Sequence, residues 1–382
     1  MFRNYLKYLR LIIPLAVVGA LAIIPAVGLG FNLPGSTSAT TSATSSQYGA
    51  NDVPHTITVM TSGQTSGTQL MTLNIAKNGS ATKAGTELVS KFSTHGGYIS
   101  PDGVVYADGF EGGGVKAYQK INGAWQEQTQ WDAPAKRALV MCSMDLRDGK
   151  QDPNKGLLEI GDIATGFNYF YDMSKHAYSM HDIQGNEAGY FGATGTVCDM
   201  SFSENSGPNL AWTSGHTNNI YTWDTTVDTA LPTGDHMYAL KNVRPNATKL
   251  GHQSRTITAP NGTEYEFIAD GSNNRFIVLD SATDGHQFFG YITIGLGVES
   301  HSMGFLTDGQ QTDKSISSYA VSANFATGDI LVDRVFKSDG SPNIDGPTQE
   351  TPVVTADFPG IGTLSDICGV DVVNVDGVWN RN

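Results

Sequence analysis

The same order of strand and turn signals recurs four times between His95 and Asp333. One unit runs His95-Gly-Gly-Tyr98-Ile99, then the turn Pro101-Asp102-Gly103, then Val104-Val105-Tyr106-Ala107-Asp108-Gly109 and Val115-Lys-Ala-Tyr118. A second opens at His252 with Thr256-Ile257-Thr258. It turns at Pro260-Asn261-Gly262 and continues through Tyr265-Glu-Phe267-Ile268-Ala269-Asp270-Gly271 to Asn274-Arg275-Phe276-Ile277-Val278-Leu279-Asp280. Units opening at Cys198 and His301 follow the same order and end on Asp224 and Asp333. Each reads as a strand, a hairpin turn, a strand ending on a small polar step, another turn, and a strand ending on an acid. From His55 onward hardly any window keeps a helical period, and short β-rich runs alternate with Gly, Asn, Asp and Pro turns, so the body is all-β. The repeats select a β-propeller, each unit being the inner part of a four-stranded blade, over the alternative of two β-sandwiches.

The unit His-x-x-apolar, turn, Pro-Asp/Asn-Gly, four apolar residues, Asp-Gly, and a final apolar strand ending on Asp resembles the YVTN-like and NHL-like β-propellers. It is also similar to the propeller domain of nitrous oxide reductase. The likeness covers nearly the whole chain after residue 52, and its motifs specify fold rather than activity. Dividing the span from His55 to Asn382 by about 40–50 residues per blade gives roughly seven blades, with six or eight as alternatives. Closing such a ring requires the first and last blades to share strands. The run His55–Met60 is therefore expected to complete the blade made by Cys368–Trp379.

The N-terminus bears on compartment. Arg3, Lys7 and Arg10 precede an uncharged apolar run from Leu11 to Phe31, about the length needed to cross a bilayer as a helix. Cations on one flank alone leave the N-terminus cytoplasmic and the rest outside. Residues 1–31 thus read as a transmembrane signal anchor, or as a signal peptide cut near Ala26-Val27-Gly28. Residues 32–52, with Ser and Thr nearly continuous from Ser36 to Ser46, read as a flexible stalk, and residues 53–382 as the propeller. The expected localisation is the cell membrane, single-pass, with the C-terminal domain extracytoplasmic, or secretion if the segment is cleaved. Asn78, Asn246 and Asn261 sit in N-glycosylation acceptor patterns, which agrees with a glycoprotein outside the cell.

Lys plus Arg number 23 against 37 Asp plus Glu, a formal charge of −14, which excludes a general nucleic-acid binder. Cys142, Cys198 and Cys368 are too few for a disulfide scaffold and lack CxxC spacing. The repeat places His95, Cys198, His252 and His301 at equivalent inner-strand positions, where a propeller converges on its channel. Imidazole with thiol, or with Met200 and Met303 nearby, suits copper among the metals, and His181 and His216 are further candidates. In the nitrous oxide reductase resemblance, channel histidines hold a copper cluster. That implies the same role for His95, His252 and His301, although a cluster needs more histidines than this and no cupredoxin domain follows. The other reading of these histidines is structural, hydrogen-bonding the neighbouring blade. Asp145, Asp148, Asp152 and Asn154 depart from calcium-loop spacing and read as a polar turn. GxSxG and HExxH are absent from the sequence, and Trp125, Trp131, Trp212, Trp223 and Trp379 read as blade-packing aromatics. Two function classes stand open. One is a surface module binding a protein, a glycan or the cell envelope; the other is a metal-dependent, copper-type oxidoreductase using the channel histidines.

Overall fold

A computed structural model describes residues 53–110, 114–132, 141–147, 156–162, 168–179, 199–202, 210–214, 220–230, 236–244, 251–280, 288–293, 300–307, 315–344, 354–355, 357–358, 362–363 and 366–380. Residues 46–382 form one compact unit. Its described part is all-β, and helical turns appear only as two three-residue 3-10 segments, Thr129–Trp131 and Gly271–Asn273. The apolar run 11–31 and the stalk lie outside the described residues. Within them, no helix is long and apolar enough to cross a membrane.

Turn chemistry sets the hairpins. In Ala76–Gly79, Ser100–Gly103, Ala259–Gly262 and Lys337–Gly340, the glycine N–H donates to the carbonyl three residues earlier, at 2.8–3.0 Å. The residue before each glycine is Asn or Asp, and Gly103 and Gly262 take φ of 86° and 84°, a region that costs an ordinary residue about 1–2 kcal/mol. The Pro-Asp-Gly and Pro-Asn-Gly steps of the repeat are therefore the corners at which antiparallel strands reverse.

Among the described residues six sheets result, together with a short hairpin, Asp357–Phe358 with Gly362–Thr363. The second sheet comprises Gly97–Ile99, Val104–Asp108, Val115–Ile121 and Ala124–Glu127 in sequence order. The third spans Met141–Arg147 to Ala177–Ser179 and the fourth Asp199–Phe202 to His236–Arg244. The fifth spans Gly251–Thr258 to Phe288–Thr293 and the sixth Met303–Phe305 to Val354–Thr355. The first is built from both ends of the chain: Val378–Trp379, Ile367–Val375, His55–Gly63, Gly67–Ile75 and Ala81–Ser90, in that spatial order. His55–Gly63 pairs antiparallel with Ile367–Val375 at seven positions, from Ile57 opposite Val375 to Gly63 opposite Ile367. The ends share one sheet, as the ring-closure argument expected.

The first strands of successive sheets pack beside one another from the second sheet to the sixth, and Met303–Phe305 of the sixth packs on Ile367–Val375 of the first. Trp379 Nε1 then donates to the Ile99 carbonyl at 3.1 Å, joining first to second. The circle is closed, and the apolar core lies between sheets. In Glu264–Asp270 every residue is buried, because Phe267 and Ala269 pack toward the sixth sheet with Phe305 and Phe336, while Ile268 packs toward the fourth with Ile220. The apolar side chains of this strand are thus covered on both faces, and burying each stabilises by about 1.5–3 kcal/mol. Trp125, Trp131 and Trp379 pack against these clusters, as blade aromatics should. Asn78 and Asn261 lie exposed in their turns, while Asn246 lies outside the described residues.

Candidate functional site in the ring channel

Each histidine singled out by the repeat sits at the entry of its sheet's first strand. His252 falls at a bulge, since the pairing of Gly251–Thr258 skips from Gly251 opposite Asp270 to Ser254 opposite Ile268. A bulge re-aims side chains, and here it turns the segment toward the next sheet. Gln253 N–H donates to the His301 carbonyl at 3.1 Å. The His252 and His301 rings stack at 3.6 Å between centroids and 11° between planes, and Phe325 continues the stack on His301 at 4.4 Å. Gly271 forms the floor: a Cβ there would lie 3.2 Å from His301 Cδ2 and 3.4 Å from His252 Cδ2.

His95 holds the equivalent place in the second sheet with different neighbours. Its ring stacks on Phe110 at 4.1 Å, and its Nε2 lies 2.6 Å from Gln64 Nε2, so the amide N–H₂ is the donor and the imidazole lone pair the acceptor. Asp108, at the end of Val104–Asp108, holds the backbone beneath it. Its Oδ1 accepts from Thr94 Oγ1 at 2.7 Å, His95 N at 3.1 Å and Gly96 N at 2.8 Å. Burial pushes the Asp108 carboxyl up to about 6 even so, since those hydrogen bonds only partly offset its removal from water.

The repeat therefore brings His252 and His301 together and places His95 apart with its own partners. A metal bound by two imidazoles must lie in the plane of both rings, because the nitrogen lone pairs do. Planes 11° apart and stacked at 3.6 Å do not meet at coordination distance, and the His95 Nε2 lone pair is engaged by Gln64. This donor set does not fit a shared copper ion, and among the described residues no group of three or more His, Cys, Asp or Glu is disposed to hold a metal. Met303 packs in the core between the fifth and sixth sheets. Cys198, His181 and His216 lie outside the described residues, as do Asp148, Asp152 and Asn154. Asp145 is in the strand Met141–Arg147, opposite Glu159, and not in a loop.

Deeper in the channel is a feature the repeat did not announce. Arg255 of the fifth sheet reaches Asp371 of the first, Nη2 to Oδ1 at 2.8 Å, with side chains only 4% and 15% exposed. Met60, Tyr98, Met144 and Trp379 surround the pair, and the space left is about 20 Å³, room for roughly one water. Burial raises the Asp371 carboxyl against the lowering pull of Arg255. Asn380 Nδ2 donates to the carbonyls of Phe305 and Val372 at 2.9 and 2.8 Å, bolting the sixth sheet to the first beside it. A sequence signal for the pair existed: Arg255 and Asp371 are single opposite charges, each inside an otherwise uncharged first strand.

No family model matches the chain, and no curated protein matches it. Among solved structures, a candidate 6-phosphogluconolactonase from Bacteroides fragilis aligns over 84% of this chain and 98% of its own, with 9% identity and a TM-score of 0.51. The fold is a β-propeller. A second candidate 6-phosphogluconolactonase, from Bacteroides uniformis, aligns over 80% of this chain and 86% of its own with 12% identity and a TM-score of 0.48. A periplasmic gluconolactonase from Pseudomonas aeruginosa aligns over 78% and 79% with 12% identity and a TM-score of 0.46. At such identities the likeness carries the propeller and no activity.

Proposed function

We propose that this chain is an extracytoplasmic β-propeller, held at the membrane by residues 11–31, that meets its ligand on the faces and edges of the ring rather than within the channel. The carrying observation is the Arg255–Asp371 bridge: a buried ion pair runs from the fifth sheet to the first, and the space beside it has room for about one water. The low proportion of charged residues, 16%, and the Ser/Thr-rich stalk support a body displayed outside the cell to a protein, glycan or envelope partner. Six blades, one of the two alternatives to seven, are favoured by the described residues, because the first strands pack in sequence order from the second sheet to the sixth, the sixth packs on Ile367–Val375, and Trp379 ties the first sheet to the second.

Fractionation tests the anchoring. The full chain should stay in the membrane pellet through alkaline extraction, be digested by protease added to intact cells, and become soluble when residues 11–31 are deleted. Protection from external protease would overturn the orientation. For the binding face, the exported body should cosediment with isolated cell-envelope fragments, and should do so equally after Arg255→Met with Asp371→Leu. Loss of cosedimentation in that folded double variant would place the ligand in the channel.

A further inference from the structure

At the end of the ring-closing strand remote from the histidine stack, three side chains far apart in sequence meet. His55 opens the strand His55–Gly63, Asp376 lies in the turn between Ile367–Val375 and Val378–Trp379, and Ser315 precedes Tyr319–Ala323 of the sixth sheet. His55 Nδ1 is 2.6 Å from Asp376 Oδ2, and His55 Nε2 is 2.9 Å from Ser315 Oγ. We propose that Ser315, His55 and Asp376 form an acyl-transfer centre that hydrolyses small carboxylic esters, with Ser315 as nucleophile, His55 as general base and Asp376 as positioning residue.

The geometry assigns the roles. Asp376 is fixed from three directions: its Oδ2 accepts from the imidazole, its Oδ1 accepts the Thr56 N–H at 2.8 Å, and its own N–H donates to the Thr56 carbonyl at 2.8 Å. Its φ of 51° is left-handed, a conformation maintained by those contacts and by Gly377 N–H donating to Asn374 Oδ1 at 2.8 Å. With Nδ1–H given to the carboxylate, Nε2 keeps its lone pair and accepts the Ser315 hydroxyl proton. Both distances fall within the reach expected of a nucleophile, its base and the group that orients the base. Such a constellation is recognised by geometry, so the chain order His, Ser, Asp is no objection. His55 is buried, Ser315 is half-buried, and the Asp376 side chain is 45% exposed, so the nucleophile lies at the surface of the seam with the imidazole behind it.

In the forward step Ser315 Oγ bonds to the ester carbonyl carbon while His55 Nε2 takes the hydroxyl proton. The carbon–oxygen bond to the alcohol then breaks, and His55 returns the proton to the leaving oxygen. Water repeats the sequence on the acyl-serine: His55 takes a proton from water, the new carbon–oxygen bond forms, and Ser315 leaves with that proton as the carboxylic acid departs. The centre uses no channel residue, so it stands independently of where the ring binds its partner.

The test uses the full chain in detergent. A fluorophosphonate probe should form a phosphorus–oxygen bond at Ser315 with loss of fluoride, found by peptide mapping, and p-nitrophenyl acetate should be hydrolysed with a nitrophenolate burst. Ser315→Ala should abolish both, and His55→Gln should slow labelling by about 100-fold or more, the usual scale of general-base catalysis. Asp376→Asn should slow it and shift the pH profile of labelling, which a merely structural tie would leave unmoved. If His55→Gln fails to fold, the wild type decides alone: label should be found at Ser315 and should rise with pH. Absence of label at Ser315 in the folded wild type, a flat pH profile, or undiminished labelling in folded His55→Gln would each overturn the proposal.

Discussion

Removing the carboxylate of Asp371 tests the reading of the channel most directly. At an effective dielectric constant near 20, charges 2.8 Å apart attract by about 6 kcal/mol, but desolvating two ions costs several kcal/mol each, so the pair is near neutral as a whole. Its loss by halves is different. Asp371→Ala leaves the Arg255 guanidinium in a cavity the size of one water without that countercharge, and such removals cost about 3–5 kcal/mol. At about 2.1 cal/mol/K per residue, a body the size of residues 46–382 should then lose roughly 4–7 °C in Tm. Arg255→Met with Asp371→Leu, filling the same space with apolar atoms, should instead be neutral or stabilising by about 1–4 kcal/mol. The pH dependence has a definite sign. Since burial holds the folded Asp371 pKa above its unfolded value, the stability tied to this group is full below the unfolded pKa and is lost as pH rises through the folded one. The double variant should lack that component. Urea unfolding at pH 5 and 8 of the wild type, Asp371→Ala, Arg255→Met, Asp371→Leu and the double variant measures all of this. A cost below about 1 kcal/mol for Asp371→Ala, or additive single effects, would show a solvated pair and an open channel.

Asp108→Ala removes the acceptor for three donors and should cost about 2–4 kcal/mol by urea unfolding. With its folded pKa at about 6 against an ordinary 3.8, Asp108 contributes stability that is full below about pH 4 and lost as pH rises to 6, roughly 3 kcal/mol in all, and Asp108→Asn should remove that slope. Gly67→Ala should cost about 2 kcal/mol or more in thermal unfolding. At φ 71° a Cβ is already strained, and it would meet the Ser90 carbonyl oxygen at 2.0 Å. Trp379→Phe, losing the bond to the Ile99 carbonyl while keeping most of the ring, should cost about 1 kcal/mol and raise amide exchange at the seam between the first and second sheets.

The sheets were legible because their signals are local. Pro101-Asp102-Gly103 and Pro260-Asn261-Gly262 specify a reversal within four residues, and the runs beside them, buried on both faces, could only be strands between other sheets. The sharing of His55–Gly63 with the C-terminal strand followed from the need to close a ring. Such local signals do not fix the blade count, since division by a typical length says nothing of how strands are shared where the ring closes. At the site, the repeat found three equivalent histidines, and two of them meet. It could not say how, because equivalence fixes where a strand begins, whereas the bulge at His252 and the absence of a Cβ at Gly271 decide that the rings stack rather than converge. Arg255 with Asp371, and His55 with Ser315 and Asp376, join residues separated by 116 to 321 positions. Local pattern carries no information about such pairs, beyond the oddity of a lone charge in a buried strand.

The closing strand connects these observations. Asp366 stands before Ile367–Val375, Asp371 in its middle and Asp376 just past its end, five residues apart each time. Each carboxylate holds a different part of the ring: Asp366 accepts from the Thr65 N–H in the turn after His55–Gly63, Asp371 receives Arg255 across the channel, and Asp376 receives His55 at the opposite face. Within the strand, Asp371 would be unfavourable without Arg255, because burying a carboxylate is unfavourable unless a partner awaits it. All three partners lie outside the strand itself, and two of them belong to the first residues of the body. The carboxylates are therefore satisfied only when the C-terminus docks between the N-terminal strand and the sixth sheet in one register. A shift by one residue would turn Asp371 to the other side of the pleat and draw Asp366 and Asp376 away from their partners. The strand that closes the ring thus also selects its own register, and the Arg255 bridge and the His55 centre are assembled by the same docking event.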